Sequence, residues 1–186
     1  LVVTPPTPLR TMVGRDSELR AIERCFGEVR GGVGGILNVV ADSGMGKSRL
    51  LAEAWRLQVA GSVATLEGRS LALGRTRRFH PFVDLITHWA DLAPVADPVE
   101  ASRQLDAAVE QVCGDESAEV APFLYTLMGF ELDAARRKAV QGLPGDALEK
   151  LIRRAVRRLV ERLTQTGPLV LVFEDFHGSD HSTYAG

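Results

Sequence analysis

The chain is poor in cysteine, in aromatic side chains and in long apolar runs. Its two cysteines, Cys25 and Cys113, are isolated and lack metal-binding or redox spacing. That excludes a disulfide scaffold and a zinc ribbon, and reads as two free or buried thiols in a reducing compartment. The longest apolar run, Leu169–Phe173, is much too short to cross a bilayer. No secretory signal pattern is visible. These absences point to a cytoplasmic protein with no membrane partner. Positive charge is not in excess either: the net charge of −2 leaves the whole chain without the basic bias of a nucleic-acid-binding protein. No helix-turn-helix pattern is evident, so contact with DNA would need a separate module. His177 and His181 stand four apart, but Gly178 lies between them and no helix is evident, which reads as surface or polar contacts rather than zinc ligands.

What is present is a globular composition, with 45% hydrophobic and 25% charged residues over 186 positions. That length buries about 70% of its unfolded surface if the domain is complete. Residues 1–11 read as an extended linker, because Pro5, Pro6 and Pro8 fall within the first nine residues. The first residue is Leu1 rather than Met, so the natural protein is expected to continue upstream, unless this is an expression or processing boundary.

The strongest chemical signal begins at Ile36-Leu-Asn-Val-Val40, which reads as a buried strand. It runs into Ala41-Asp-Ser-Gly-Met-Gly-Lys-Ser48, and a helix opens near Lys47. Strand, glycine-rich turn and helix make a phosphate-binding loop. Gly44 and Gly46 can take backbone angles closed to other residues and let a ligand approach the main chain. Successive N–H groups then face one concavity, and the helix adds its unbonded N–H groups and the positive end of its dipole. Ser43, Gly44, Met45, Gly46, Lys47, Ser48 and Arg49 are the expected cradle. Lys47 would reach the β- and γ-phosphates, and Ser48 would offer its hydroxyl to Mg²⁺. The departure from the usual pattern is Ala41, where a glycine is usual.

Periodicity predicts the remaining elements. A helix is expected from Asp16 or Ser17, either of which can cap it, with Leu19, Ile22, Phe26 and Val29 as its apolar stripe and Gly31-Gly32 as its stop. Leu50, Leu51, Ala54 and Leu57 give the inner face of a helix over 47–59, and Val63–Leu66 is a short second strand. A basic loop over 71–78 precedes helical pieces at about 81–92, 99–112 and 118–129. A long helix over 145–165 turns Leu148, Leu151, Ile152, Val156, Leu159 and Leu163 inward. Arg153, Arg154, Arg157, Arg158 and Arg162 occupy much of its other face, which reads as solvated surface, with a surface for DNA or an acidic partner as the sharper alternative. Leu169–Phe173 is a third, fully apolar and hence central strand. It ends in Glu174-Asp175. Carboxylates at the end of an apolar strand suit an Mg²⁺–nucleotide site: Glu174 as the metal-associated group, Asp175 as the catalytic one that orients or deprotonates water, with both near the metal.

Three blocks together resemble the STAND class of P-loop ATPases, as in LuxR/MalT-type transcriptional regulators and bacterial multidomain adenylate cyclases. They are Val13-Gly-Arg-Asp-Ser-Glu-Leu19, Gly44-Met-Gly-Lys-Ser-Arg-Leu50, and Leu169 to Asp180. The resemblance implies an AAA+-like α/β fold: a three-layer P-loop NTPase sandwich whose parallel sheet has strand order 5-1-4-3-2. It implies ATP and Mg²⁺ as cofactors, ATP/ADP as the bound partners, and slow hydrolysis used as a conformational switch in signalling. It also implies that Val13, Gly14 and Arg15 lie near the adenine and ribose end. Lys47 and Asp175 would be the catalytic pair. Gly178 stands where the family usually has Trp, and Arg69 matches a common Gly-Arg pair, with a salt bridge the plainer reading. On this pattern the domain covers 12–186, with a helical insertion at about 79–144 between strands 2 and 3. Strand 4 of the pattern follows strand 3 in sequence, so the chain is expected to be truncated before it and to hydrolyse ATP weakly or not at all alone. Other domains of the same protein, and self-association, are the expected partners. A nucleotide-binding scaffold without hydrolysis is the alternative function.

Overall fold

In the computed structural model, residues 14–42, 44–58, 63–69, 79–92 and 97–174 are described. The chain divides into two compact units, one formed by residues up to Thr65 with Gly167–Val170, the other by Leu66–Thr166 with the residues from Leu171 on. In chain order the elements are α1 (Asp16–Arg30), α2 (Lys47–Gln58), β1 (Ala64–Arg69), α3 (His80–Trp89), α4 (Pro98–Cys113), α5 (Ser117–Met128), α6 (Ala134–Val140), α7 (Gly145–Thr166) and β2 (Leu169–Glu174). β1 and β2 pair in a two-stranded parallel sheet, each reached from the other through helices, which makes this a mixed α/β chain.

In the first unit, α1 and α2 pack through the stripes that their sequences present. Ile22 and Phe26 from α1 meet Leu50 and Ala54 from α2, and Leu19, Val39, Val63 and Val170 pack against them. Phe26 stands edge-on to Trp55 with ring centres 6.5 Å apart, the geometry favoured by aromatic quadrupoles. Two expectations are corrected here. Asp16 and Ser17 do not cap α1. Arg15 holds the N-cap position without a side-chain cap bond, and Asp16 and Glu18 lie in the first turn, where their charge suits the helix dipole. The segment 36–40 is not a buried strand. No described strand pairs with it, and Ile36 and Val40 are each 91% exposed. An apolar β-branched run supplies strand propensity, but a strand exists only where a neighbour completes its hydrogen-bond ladder.

The second unit has a helical core. α4 turns Ala101, Leu105, Val109 and Cys113 inward at a spacing of four, and α7 turns in Ile152, Ala155, Val156 and Leu159. α5 lies between them with Val120, Ala121, Leu124 and Tyr125 buried. Burying each large aliphatic side chain contributes about 1.5–3 kcal/mol. Tyr125 donates its hydroxyl hydrogen to Ser102 O at 2.9 Å. Burial first, and then Asp106, push its phenol up to about 12.

Sequence periodicity missed α6, a seven-residue helix. Asp133 caps it by accepting the Arg136 N–H at 2.8 Å, and Arg136 reaches Asp106 at 2.7 Å while its guanidinium lies 4.2 Å from the Tyr125 ring centre. Asp133→Ala is expected to cost about 0.5–2 kcal/mol. A denaturation midpoint equal to the wild type would show that the cap does not matter.

The basic face of α7 is only partly solvated. Arg154 and Arg157 are exposed, whereas Arg158 and Arg162 both pair with Glu116, from the turn between α4 and α5. The hydrogen bonds from Arg158 and then Arg162 hold the Glu116 carboxyl down at about 2, from an ordinary 4.5. The sign follows directly. Stabilisation by this pair is complete above about pH 4.5 and is lost as pH falls toward about 2. Urea midpoints of the wild type and Glu116→Gln should therefore differ by a constant amount above about pH 4.5 and converge below it. A difference that stays constant down to pH 3 would contradict the pairing.

Cys25 and Cys113 are both free thiols, as read from their isolation. Burial, and next the charge of Glu116, push the Cys113 thiol up. Among the described residues no helix is long and apolar enough to cross a membrane, and no group of three His, Cys, Asp or Glu is placed to hold a metal ion.

Candidate functional site

The first unit places the beginning of α1, the segment 37–41 and the turn before α2 around one cleft. Its volume is about 280 Å³, and its lining includes Arg15, Glu18, Ile22, Asn38, Ala41, Met45, Gly46, Lys47 and Leu50. The turn is built by Gly44 at φ +80° and Gly46 at φ +82°, angles that side chains with a Cβ rarely take. Among the described residues nothing lies within 4 Å of where a Cβ would sit on either, so the main chain there is open to a ligand. Met45 N–H donates to Asp42 O at 3.3 Å, and Leu50 N–H donates to Gly46 O at 2.9 Å as the α2 ladder begins. The amides of Lys47 and Ser48 lie in the first turn of α2, before that ladder, where an α-helix supplies no acceptor of its own.

The electrostatics of this turn are one-sided. Lys47 Nζ donates to Ala41 O at 2.6 Å and to Asp42 O at 3.1 Å. Carbonyl dipoles hold the ammonium, and no ion pair with a described carboxylate neutralises it. The first turn of α2 contains no acidic residue, in contrast to α1, which carries Asp16 and Glu18 there. A cation and a helix N-terminus, neither compensated by a carboxylate among the described residues, fit a phosphate. Ser48 and Arg49 are exposed on the same first turn. The donor set thus fits a nucleotide's phosphates on the chain's own geometry.

Ala41 explains itself in this arrangement. It lies outside the positive-φ region, where Phe79 and Asp91 are the only non-glycine residues described. It serves the loop through its carbonyl, which any residue supplies.

Arg15 is brought to the loop. Its guanidinium donates to Met45 O at 3.3 Å and to Glu18 Oε1 at 2.9 Å. Gly14 precedes it at φ +79°, in the region that favours glycine. Glu18 is a site residue that the sequence reading did not single out. Its signal was its place three residues after Arg15 on a helix, one turn along the same face. The Ser17 hydroxyl donates to Glu18 Oε2 at 2.6 Å. That bond first, then a backbone N–H and Arg15, hold the Glu18 carboxyl below its usual range.

Of the other expected residues, Glu174 is half-buried at the C-terminal end of β2, in the second unit. Val13, Ser43 and Asp175 lie outside the described residues, as do the 71–78 loop, His177, Gly178, His181 and the Arg69 side chain. Within the first unit the structure therefore brings Arg15, Met45, Gly46 and Lys47 to one cleft, with Gly14, Gly44, Ser48 and Arg49 next to them in sequence.

Comparison with known proteins gives the chain a family. An uncharacterized protein of Rhizobium meliloti (strain 1021) is 24% identical over 169 residues. The match covers 91% of this chain and 16% of that protein, so the chain spans a small part of its relative's length. No solved structure matches the chain. Residues 11–185 match the AAA ATPase domain. The phosphate-loop geometry and this match over nearly the whole length lead to one conclusion: the chain belongs to the AAA ATPase domain family, whose members bind nucleotides.

Proposed function

We propose that the chain is the ATP-binding part of a STAND-type, Mg²⁺-dependent nucleotide switch with slow hydrolysis, within a signalling or transcriptional regulator of the cytoplasm. One observation carries the reading. The loop before α2 presents an ammonium without an acidic partner among the described residues and a helix N-terminus without an acidic first turn, the electrostatics that favour an anion. Residues Ser43 to Arg49 would cradle the phosphates. Lys47 would stabilise charge on the transferred group, and Val13, Gly14 and Arg15 would border the base and ribose. Ser48, Glu174 and Asp175 would hold Mg²⁺, which when bound neutralises phosphate charge. Asp175 would orient or deprotonate the attacking water.

Around this core we propose the strand order 5-1-4-3-2, in which 36–40 would become strand 1 only when a neighbouring strand completes its ladder, with residues about 79–144 as a helical insertion after the second strand and residues 1–11 as a linker. Other domains of the longer protein, and further copies of it, are the proposed partners. Binding of a fluorescent ATP analogue to the full-length protein with and without Mg²⁺, followed by single-turnover hydrolysis, tests the reading. The expected result is Mg²⁺-dependent binding and a slow turnover that Asp175→Asn abolishes. Binding without turnover in the wild type would assign a scaffold instead, and absence of binding would overturn the proposal.

A further inference from the structure

The tether between Arg15 and the loop has a consequence for phosphate binding. Met45 is the residue between the two positive-φ glycines and is 56% exposed. Its backbone has two described tethers, each at 3.3 Å: its own N–H on Asp42 O, and its carbonyl under the Arg15 guanidinium. A turn with glycine on both sides has many conformations open to it, and fixing it around a phosphate costs entropy at the moment of binding.

Arg15 is itself held. One of its terminal nitrogens takes the Met45 carbonyl and the other takes Glu18, a division that the planar, forked guanidinium makes possible. Glu18 is fixed in turn by Ser17. Its low carboxyl pKa keeps it charged, and therefore able to hold Arg15, at any pH near neutral. The chain Ser17–Glu18–Arg15–Met45 thus links the first turn of α1 to the tip of the loop.

We infer that Arg15 is a positioning residue for the phosphate loop, acting on the phosphates through the Met45 carbonyl rather than by reading the base. The inference rests on the proposed nucleotide site and adds a role there that proximity to the ribose does not include.

Inorganic tripolyphosphate separates the two roles, because it has phosphates and no base. Arg15→Ala should weaken ATP and tripolyphosphate by the same factor, about 3- to 10-fold for one net hydrogen bond. It should also speed amide hydrogen exchange at Gly44–Lys47 while leaving α1 and α2 protected, a local readout that general destabilisation would not give. Arg15→Lys, which keeps one donor for the carbonyl, should recover part of the loss. Glu18→Gln should give a smaller loss with the same equality between the two ligands, and both variants carry the test if Arg15→Ala does not fold. A loss confined to ATP, or no loss for either ligand, would overturn the inference. Failure of the site itself reads differently: the wild type would bind neither ligand, or Lys47→Ala would bind both as the wild type does.

Discussion

Replacing Lys47 with alanine is expected to lower the protein's ATP affinity by about 10- to 150-fold. The figure corresponds to charge-assisted phosphate bonds of roughly 1.5–3 kcal/mol. Two features of the loop argue for a loss of this size. The ammonium rests on Ala41 O and Asp42 O, and exchanging neutral carbonyls for a phosphate gains charge–charge attraction that the resting contacts lack. The first turn of α2 has no carboxylate to be left unpaired when the lysine is removed, so the loss reports on the ligand and little on the fold. Titration calorimetry of the wild type and Lys47→Ala measures it. Equal affinities would remove Lys47, and the loop with it, from the site.

The second large effect is on stability. A Cβ added at Gly68, in β1, would lie 2.3 Å from Pro81 O, 3.3 Å from Pro81 C and 3.4 Å from Phe173 Cδ1. The nearest obstacle is backbone, at the first turn of α3, and cannot swing aside as a flexible side chain would. α3 is fixed at several points besides. Phe79 sits before it at φ 70°, Phe82 stands edge-on to Phe173 at 5.5 Å, and His88 Nδ1 lies 3.0 Å from Glu67 O. Gly68→Ala must therefore displace a helix held against the sheet, at a cost of about 1–3 kcal/mol with the upper end expected. Guanidinium unfolding measures this, and an unchanged midpoint would show that α3 can retreat freely. The glycine in Glu67-Gly-Arg69 is thus explained by packing against α3, a contact no local sequence pattern announces.

The legible parts of the fold are those whose information is local. The stripe of α7 was readable because its apolar residues recur at helical spacing, and Ile152, Val156 and Leu159 are buried as expected. The end of α5 at Gly129 follows from its φ of 74°. Gly44-Met-Gly-Lys was readable because backbone freedom and charge are properties of the residues themselves. What could not be read depends on distant partners. Glu116 reaches Arg158 and Arg162 across more than forty residues, so the basic face of α7 looked free. Ile36–Val40 has strand propensity, yet pairing is a property of two segments, and no described strand pairs with it. Arg15 could be placed near the loop only by resemblance, and its partner Glu18 only by geometry.

Amide hydrogen exchange of the protein, with and without saturating Mg²⁺ and ATP, tests the central claim most directly. That claim is that the backbone from Gly44 to Ser48 cradles the phosphates. The predicted result is slowed exchange at Gly44, Gly46, Lys47 and Ser48, as amides that have no acceptor within the helix gain one. ATP binding with exchange at these amides unchanged would contradict it.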